Sequence, residues 1–478
     1  MSEDVTRAMY NKIALILTGG DSVAPPPKDS FIAWCAPGIP FQKEDLQFAV
    51  KGISGTDASE TRLLIQNASD YSRVANLIPD TSSVLDSNKQ KVFFEQNGKL
   101  VWDVYKNVLN HSEIADVQPT DDQKTKLDKF RNLLVTSKEI TTYDMKGDPV
   151  TKSVTESSPI VKQYCNYQAL YESAVLQYNL KRLAALNEES RQAVQDFAIN
   201  GNLYRRAVTN AYDQWVSDGQ KNEVEQWRAI IDQITRRSIS LLKKDLIDKL
   251  ERAIITDPTS GSDFYMTSFF PGNFVNSENG WSTFEFTESS TKTYTKEIHT
   301  SVSVGTSLLW GLWKLDGDGE GGSDNVLRNI DTSDFSIKFS LAQVPISRPW
   351  FSPEFLTNKA WRFRNGSGME CLCDNSEPPK GQMTAYPTSI IFAKDVQISF
   401  KDSKDFSNMV SSQGSGGLSF GWGPFRIGGS VKRSTKTVDT SCVATSNGIS
   451  VKGMQTIAFK CALLPQSPQP DSSITNWI

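Results

Sequence analysis

Three acidic residues on alternate positions, Asp316, Asp318 and Glu320, are separated by glycines and could supply oxygen ligands to a calcium ion. The twelfth position of the corresponding loop is Leu327, where an EF-hand requires a glutamate. The segment is therefore more typical of a flexible acidic turn than of a metal site. We predict no metal site, with calcium at this turn as the alternative, in which case the ion would stiffen the turn.

The remaining residue types argue against common enzyme classes. The chain holds only two histidines, His111 and His299, and neither lies in a cluster with metal-ligand spacing. Cys371 and Cys373 have no second cysteine pair nearby, so we interpret them as ordinary loop thiols. There is no nucleophile elbow, no P-loop and no glycine-rich dinucleotide turn. We predict a protein that is not an enzyme and needs no cofactor, while a pair of carboxylates in a cleft stays open as a glycosidase-like alternative.

Two aromatic–glycine turns are the most informative feature of the chain. Trp310-Gly311-Leu312-Trp313-Lys314-Leu315 aligns with Trp422-Gly423-Pro424-Phe425-Arg426-Ile427. Each has an aromatic residue, a glycine, a turn residue, a second aromatic residue, a base and an aliphatic residue. Both lie in long segments rich in Ser, Thr and Gly that alternate polar and apolar residues, a pattern that favours β-hairpins with one apolar face.

The pairing of the second hairpin can be worked out from its turn. Gly423 supplies the positive φ and Pro424 the φ near −65° that a type II′ turn needs. The opposite pairs on the apolar face are then Trp422 with Phe425, Phe420 with Ile427, and Leu418 with Gly429. The other face is polar and carries Ser419, Gly421, Arg426 and Gly428.

The patterns along the chain predict an α+β fold with three regions. A length of 478 residues exceeds that of one ordinary core. We expect a mixed α/β region at residues 1–158, a long helical hairpin or bundle at 159–258, and an antiparallel β domain at 259–478. In the first region we expect a helix near the N-terminus packed on the body, and a second helix within 58–77. A third should open at the Thr120–Gln123 capping box, and a hairpin should turn at 146–149.

The middle region has the clearest periodicity. Apolar residues recur at three- and four-residue steps from Pro159 to Ile255, and Asp218-Gly219 predicts a stop between two helices. Asn200-Gly201 predicts a softer break. One continuous helix would be ~145 Å long, so a hairpin or a bundle is expected instead.

The third region predicts an internal duplication, at about 263–350 and 383–468. Each copy has a strand, an insertion that contains the aromatic–glycine turn, and a second strand. The second strands share a spacing in which Phe339, Ala342 and Pro345 match Phe459, Ala462 and Pro465. Because periodic strands resemble one another, a chance match is the alternative.

Charge and composition restrict the partners. The net charge of −4 and the pI near 5.6 argue against general nucleic-acid binding. The N-terminus has only a short apolar run, 13–17, and no recognisable signal peptide, and the six cysteines are scattered as reduced thiols. We therefore expect synthesis in the cytoplasm, with release by a signal-free route as an alternative. Whether the protein has a small-molecule ligand is unknown from the sequence.

Two principal functions are consistent with the two hairpins. In the first, a membrane-active protein forms homo-oligomers and inserts both hairpins into a lipid membrane, since a transmembrane strand needs about 9–11 alternating residues. This layout is similar to that of perforin-like and aerolysin-like pore formers, in architecture only. The membrane-facing or tip residues would be Trp310, Trp313, Phe420, Trp422, Phe425 and Ile427. Gly311, Gly423 and Pro424 would shape the turns, and Lys314 and Arg426 would contact head groups or set the register.

The alternative function is a self-assembling scaffold protein without a membrane role. In that case the hairpins would pair edge to edge between subunits. A third alternative is a sugar-binding β module. In the simplest case of all, the apolar faces of the hairpins belong to an ordinary core.

Overall fold

A computed structural model of the chain describes residues 2–18, 29–79, 81, 92–93, 98–115, 121–143, 148–186, 191–237, 239–277, 280–287, 289–291, 294, 312–315, 335–369, 371–399, 419–432, 437–440, 442–445 and 448–478. Helices and mostly antiparallel sheets make up the fold. The predicted α+β class is therefore confirmed.

The helices occur mainly before residue 254. They are α1 Ser2–Thr18, α2 Phe48–Lys51, α3 Ala58–Ala75, α4 Val101–His111, α5 Asp121–Leu134, α6 Pro159–Leu186, α7 Arg191–Ser217, α8 Lys221–Arg237, α9 Ile239–Ala253 and α10 Pro353–Leu356. Two 3-10 turns, Lys43–Leu46 and Phe274–Asn276, are also present.

The strands lie before and after the helical region at 159–253. They are β1 Ser30–Phe41, β2 Val92–Phe93, β3 Ser112–Ile114, β4 Val135–Tyr143, β5 Pro149–Ser157, β6 Ile254–Thr256, β7 Asp263–Tyr265, β8 Ser268–Phe269, β9 Ser282–Thr287, β10 Leu312–Leu315, β11 Ser336–Ser347, β12 Trp361–Phe363, β13 Ala385–Ser399, β14 Ser419–Trp422, β15 Phe425–Lys432, β16 Thr437–Thr440, β17 Cys442–Thr445 and β18 Gly448–Leu463. The predicted hairpin at 146–149 is present as β4 and β5.

A central sheet is built on the long antiparallel pair β13–β18. Beyond β18 lie β1 and β17, and beyond β13 lies β11, which pairs with β9 and β8. The strand order is β2-β1-β18-β13-β11-β8, and among the described pairings only the short β1–β2 pair is parallel. β1 comes from the first predicted region, yet it lies in the same sheet as strands of the third region.

Both faces of the central sheet are covered. Along β13, Ile390 and Phe392 belong to one core cluster, and Ile391 and Ala393 belong to another. Because successive side chains alternate between faces, four consecutive buried apolar residues indicate a strand covered on both sides. The first face packs against α3, α4 and α9, and the second face packs against α1, α6 and the strands β14 and β15 of the second insertion. The expected N-terminal helix is therefore confirmed, packed on the body.

The helical region forms an antiparallel hairpin of α6 and α7 followed by α8 and α9. Two ring pairs show the antiparallel direction, since the later residue of α6 contacts the earlier residue of α7. The ring centroids of Tyr164 and Trp215 are 5.2 Å apart, and those of Tyr178 and Phe197 are 6.0 Å apart. The predicted stop at Asp218-Gly219 is confirmed, since it lies between α7 and α8. The predicted break at 200–201 is wrong, because α7 is continuous there. One interior glycine costs a helix only about 1 kcal/mol, which packing against α6 can offset.

The predicted duplication is not confirmed in detail. Each proposed copy does contain an antiparallel pair, β9 with β11 and β13 with β18. The matched phenylalanines, however, face opposite sides of the sheet, since Phe339 belongs to the second-face cluster and Phe459 to the first-face cluster. A shared spacing of apolar residues is thus compatible with different orientations of the two strands.

Helix α3 begins with a side-chain cap that gives a first testable prediction. The Asp57 carboxylate accepts a hydrogen bond from the backbone N–H of Glu60 at 2.8 Å. Replacing Asp57 with alanine should lower the free energy of unfolding by about 1 kcal/mol, because one N–H loses its acceptor. Urea unfolding would measure the change. Asp57→Asn keeps the acceptor and serves as the control, so equal losses in both variants would contradict the role of the cap.

Candidate functional site

The structure covers the second hairpin better than the first. Trp310, Gly311, Asp316, Asp318 and Glu320 lie outside the described residues. Trp313 and Lys314 lie in β10, and Phe420 lies in β14, where the backbone pairing is described. The predicted roles of these residues stay predictions.

The turn of the second hairpin has the predicted geometry. Gly423 has a positive φ of 53°, and Trp422 pairs directly with Phe425 across the turn. A side chain at this φ would be strained, which explains why glycine occupies the position. The two-residue turn predicted at Gly423-Pro424 is confirmed.

The predicted register beyond the turn is wrong. Gly421 pairs with Arg426, but Phe420 pairs with Gly428 instead of Ile427, so Ile427 is an extra residue in β15. Such a β-bulge increases the local twist and bends the strand. The glycines that follow Ile427 leave room for this bend, and the bend lets the hairpin curve over β1, against which β15 packs.

The apolar side of the hairpin is buried against the second face of the central sheet. The rings of Trp422 and Phe335 are 5.2 Å apart, and those of Phe425 and Phe339 are 5.0 Å apart, between centroids. Phe425 and Ile427 have no exposed surface, and Trp422 is 5% exposed. The structure therefore brings together three of the predicted tip residues and places them in a core cluster.

The face predicted to be polar is also covered. Arg426 is only 6% exposed, and its Nε donates to the carbonyl of Gly38 at 3.2 Å. Its backbone N–H donates to Gln455 Oε1 at 2.8 Å, and Gln455 Nε2 donates to the Arg426 carbonyl at 3.3 Å. The side chain of Gln455 thus takes the place of a neighbouring strand and links the hairpin to β18.

The charge of Arg426 is poorly compensated. Its Nη1 is buried without a hydrogen-bond partner, and no ion pair with a described carboxylate is found. Burial lowers the pKa of the guanidinium to about 10, so Arg426 stays charged at neutral pH. A buried cation with neutral partners is costly in free energy. The hairpin therefore contains one strongly unfavourable group among many favourable apolar contacts.

The two insertions are joined to each other. β10 pairs antiparallel with β14, with Leu312 opposite Trp422 and Leu315 opposite Ser419. β15 pairs in turn with β16, and the order β10-β14-β15-β16 makes a four-stranded sheet, here called the hairpin sheet. Sequence reasoning treated the insertions as two separate hairpins and missed this pairing.

Sequence reasoning also missed Gly38 and Gln455. A Cβ at position 38 would collide with Gln455 Oε1 and would lie 3.0 Å from the Pro424 carbonyl, so a larger residue would displace the Gln455 amide that binds Arg426. The signal was present in the sequence, since Pro37-Gly38 interrupts an otherwise apolar strand and such residues mark bulges or close backbone approaches. For Gln455 no comparable signal exists.

The described part of the chain was searched for metal-ligand clusters and for membrane-spanning helices. Among these residues no group of His, Cys, Asp and Glu could hold a metal ion. His111 is engaged locally, with Nδ1 2.9 Å from the carbonyl of Asn107. Of the helices that the structure describes, none is both long and apolar enough to cross a membrane.

Comparison with protein families, with curated proteins and with solved structures gave no match. Any functional assignment therefore depends on the geometry of the chain itself.

Proposed function

We propose that this protein is non-enzymatic and membrane-active, and that the hairpin sheet is the part that inserts into a lipid bilayer on oligomerisation. Trp422, Phe425 and Ile427 would then exchange core contacts for lipid contacts. Trp310, Trp313 and Phe420 would act with them, and Lys314 and Arg426 would reach head groups or set the register. Gly311, Gly423 and Pro424 would shape the two turns.

The observation that carries the proposal is the separate hydrogen-bonding of the two sheets. Among the described strands, the hairpin sheet shares no backbone ladder with the central sheet. It is held by packing and by side-chain bonds such as those of Gln455 and Arg426. The hairpin sheet could therefore leave the body without breaking the ladder of β13 and β18.

The connections that carry the hairpin sheet support the same reading. The first insertion joins β9 to β11 through residues 288–335, and the second joins β13 to β18 through residues 400–447. The two segments are equal in length, and each joins strands that are antiparallel neighbours. Each is long enough for two membrane-crossing strands, which need about 9–11 residues apiece. Each insertion therefore connects the paired ends of two antiparallel strands of the central sheet.

Dye release from liposomes, combined with hydrogen exchange, tests this proposal. Purified protein should release dye from vesicles of at least one composition in a scan of neutral and anionic lipids, with and without calcium. In the same samples, amides of 419–432 should lose protection while those of β13 keep it. Negative-stain images should show ring-shaped oligomers only where lipid is present.

The opposite results would reject the membrane role. No release from any vesicle, together with unchanged exchange in 419–432, would leave the hairpin sheet as a permanent part of the core. Ordered assemblies in the absence of lipid would instead favour the self-assembling scaffold, in which strand edges pair between subunits.

A further inference from the structure

Two adjoining clefts lie between the helical region and the central sheet, away from the hairpin sheet. The first, here called the apolar cleft, has a volume of about 380 Å³ and is lined by residues such as Phe48, Met266 and Phe269. The second, here called the basic cleft, has a volume of about 490 Å³ and lies against α6, α8 and β18. Both volumes lie within the roughly 300–1,000 Å³ range typical of ligand pockets.

The two clefts are direct neighbours. Ser157, Lys249, Phe270, Ser347 and Pro349 line both of them. One ligand could therefore occupy both clefts, provided that one end is apolar and the other is polar.

The apolar cleft suits a hydrocarbon chain. Ile140 and Val154 from the β4–β5 hairpin line one part of it, and Trp350 lines another. These residues belong to the first-face core cluster, but here they border open space. Transfer of an alkyl chain from water to such a surface is favourable by about 0.8 kcal/mol for each buried CH₂ group.

The basic cleft has a surplus of cations. Among its described lining residues are Arg228, Lys249, Arg348 and Lys460, against a single acidic residue, Glu172. Lys249 forms an ion pair with Asp245 at 2.9 Å, but no such pair is found for the other three cations within the described residues. An anion would therefore be attracted to this cleft.

Arg348 shows the imbalance most clearly. Its guanidinium is partly buried and donates to three neutral acceptors: Asn76 Oδ1 at 2.6 Å, the Ala75 carbonyl at 2.6 Å and the Pro387 carbonyl at 2.7 Å. Burial lowers the pKa of Arg348 to about 10, with no carboxylate among the groups that oppose this shift. A buried charge without a counterion is costly, and a bound anion nearby would reduce that cost.

The other cations are held in place at the cleft. The Arg228 guanidinium lies over the ring of Tyr164, 4.9 Å from its centroid, and Lys460 Nζ donates to the Leu17 carbonyl at 3.4 Å. Neutral partners of this kind fix the position of a cation and leave its charge uncompensated. Both side chains are therefore positioned to bind an anionic group.

Glu172 is the one group that opposes an anion. Its Oε1 accepts from Gln168 Nε2 at 3.1 Å, while its Oε2 is buried without a hydrogen-bond partner. Burial raises the pKa of this carboxyl, and Lys460 acts in the opposite direction. When protonated, the Oε2 hydroxyl would donate to the ligand and so gain the partner that it lacks.

We infer that the two clefts together bind a single-chain anionic amphiphile, with the alkyl chain in the apolar cleft and the anionic group in the basic cleft. The anionic group is a carboxylate, as in a free fatty acid, or a phosphate monoester, as in a single-chain phospholipid. The site is independent of the membrane role of the hairpin sheet, because no described residue of that sheet lines either cleft and ligand binding alone measures the site.

Displacement of a fluorescent probe from the full-length protein tests the inference. Dansyl-undecanoic acid would be bound first and then displaced by dodecanoate, dodecyl phosphate or dodecanol, which share one chain length. Displacement by either anion at concentrations at least about tenfold below those needed for dodecanol is expected, since charged hydrogen bonds contribute to binding. The stronger of the two anions would identify the head group as carboxylate or phosphate.

Four variants locate the two ends of the ligand. Arg228→Gln should weaken binding of the anion roughly tenfold, because a charge-assisted contact is lost, whereas the exposed Arg206→Gln on α7 should leave it unchanged. Glu172→Gln should strengthen binding, since it keeps the contact with Gln168 and removes the negative charge. Val154→Phe should weaken binding by filling the apolar cleft.

Three results would contradict the inference. Equal displacement by dodecanol and by both anions would overturn the role of the basic cleft. Wild-type affinity in both Arg228→Gln and Val154→Phe would show that the probe binds elsewhere, and absence of probe binding would overturn the inference as a whole. Thermal unfolding of each variant would confirm that the protein is folded, and Arg228→Gln alters only an exposed side chain.

Discussion

Replacing Phe425 with alanine should lower the free energy of unfolding by about 3–5 kcal/mol, the usual cost of removing a fully buried phenylalanine from a core. Phe425 has no exposed surface, and its ring packs edge to face against Phe339 at 5.0 Å. The loss combines the transfer free energy of the ring with the cavity that it leaves. Urea unfolding monitored by circular dichroism would measure the change.

The same substitution should make the hairpin sheet easier to release. If insertion is the function, Phe425→Ala should cause dye release at a lower protein concentration. The reason is that the substitution removes contacts that exist in the soluble state, where the hairpin sheet packs on the central sheet, and are absent from the inserted state. Phe355→Ala is the matched control. Phe355 is equally buried, but it packs against Trp361 in the first-face cluster, away from the hairpin sheet.

Two results would contradict this reading of Phe425. If both phenylalanine variants promote leakage equally, release reflects general instability instead of a specific element. If the double variant Trp422→Ala/Phe425→Ala remains folded and shows unchanged membrane binding and leakage, these residues have no role at the membrane.

Replacing Arg426 with methionine should have the opposite sign and raise the free energy of unfolding by about 1–2 kcal/mol. Substitution of buried ionic groups by apolar side chains of similar size is often neutral or stabilising by about 1–4 kcal/mol. Arg426 is a strong case because its Nη1 has no partner and its Nε bonds only to a neutral carbonyl. The backbone bonds to Gln455 would be retained, but the Gly38 carbonyl would lose one donor, which reduces the gain.

In the dye-release assay, Arg426→Met should require more protein for the same release, because the hairpin packed on the central sheet becomes more stable. Arg426→Lys keeps the positive charge, so it should show no such stabilisation. A lower stability of the methionine variant would mean that the Gly38 contact outweighs the cost of burying the charge. If the methionine variant is more stable and leakage nevertheless increases, leakage does not depend on the hairpin sheet leaving the body.

Local features of this fold were predictable from the sequence. The acidic first turn after Thr120 predicted the helix observed at Asp121–Leu134, and Asp218-Gly219 predicted the boundary between α7 and α8. The turn at Gly423-Pro424 was predictable for the same reason, since positive φ at one residue is a local requirement that glycine meets. Each of these signals depends on a few neighbouring residues.

The candidate site depended on contacts between distant parts of the chain. The bulge at Ile427 shifted the expected pairing of Phe420, and a one-residue shift in a strand exchanges the faces of every residue beyond it. The burial of Arg426 required Gly38, which lies 388 positions earlier, and Gln455, which lies 29 positions later. Neither the hairpin pattern nor the net charge contains that information.

The sequence by itself determined the boundary between α7 and α8, the turn at Gly423-Pro424 and the α+β class of this protein, because these follow from local backbone preferences and from the period of apolar residues. The tertiary structure alone decided that β10 pairs with β14, that the apolar face of the second hairpin packs on the central sheet, and that two clefts adjoin. These features arise where surfaces distant in sequence meet, and their free energies depend on shape and burial that no local pattern specifies.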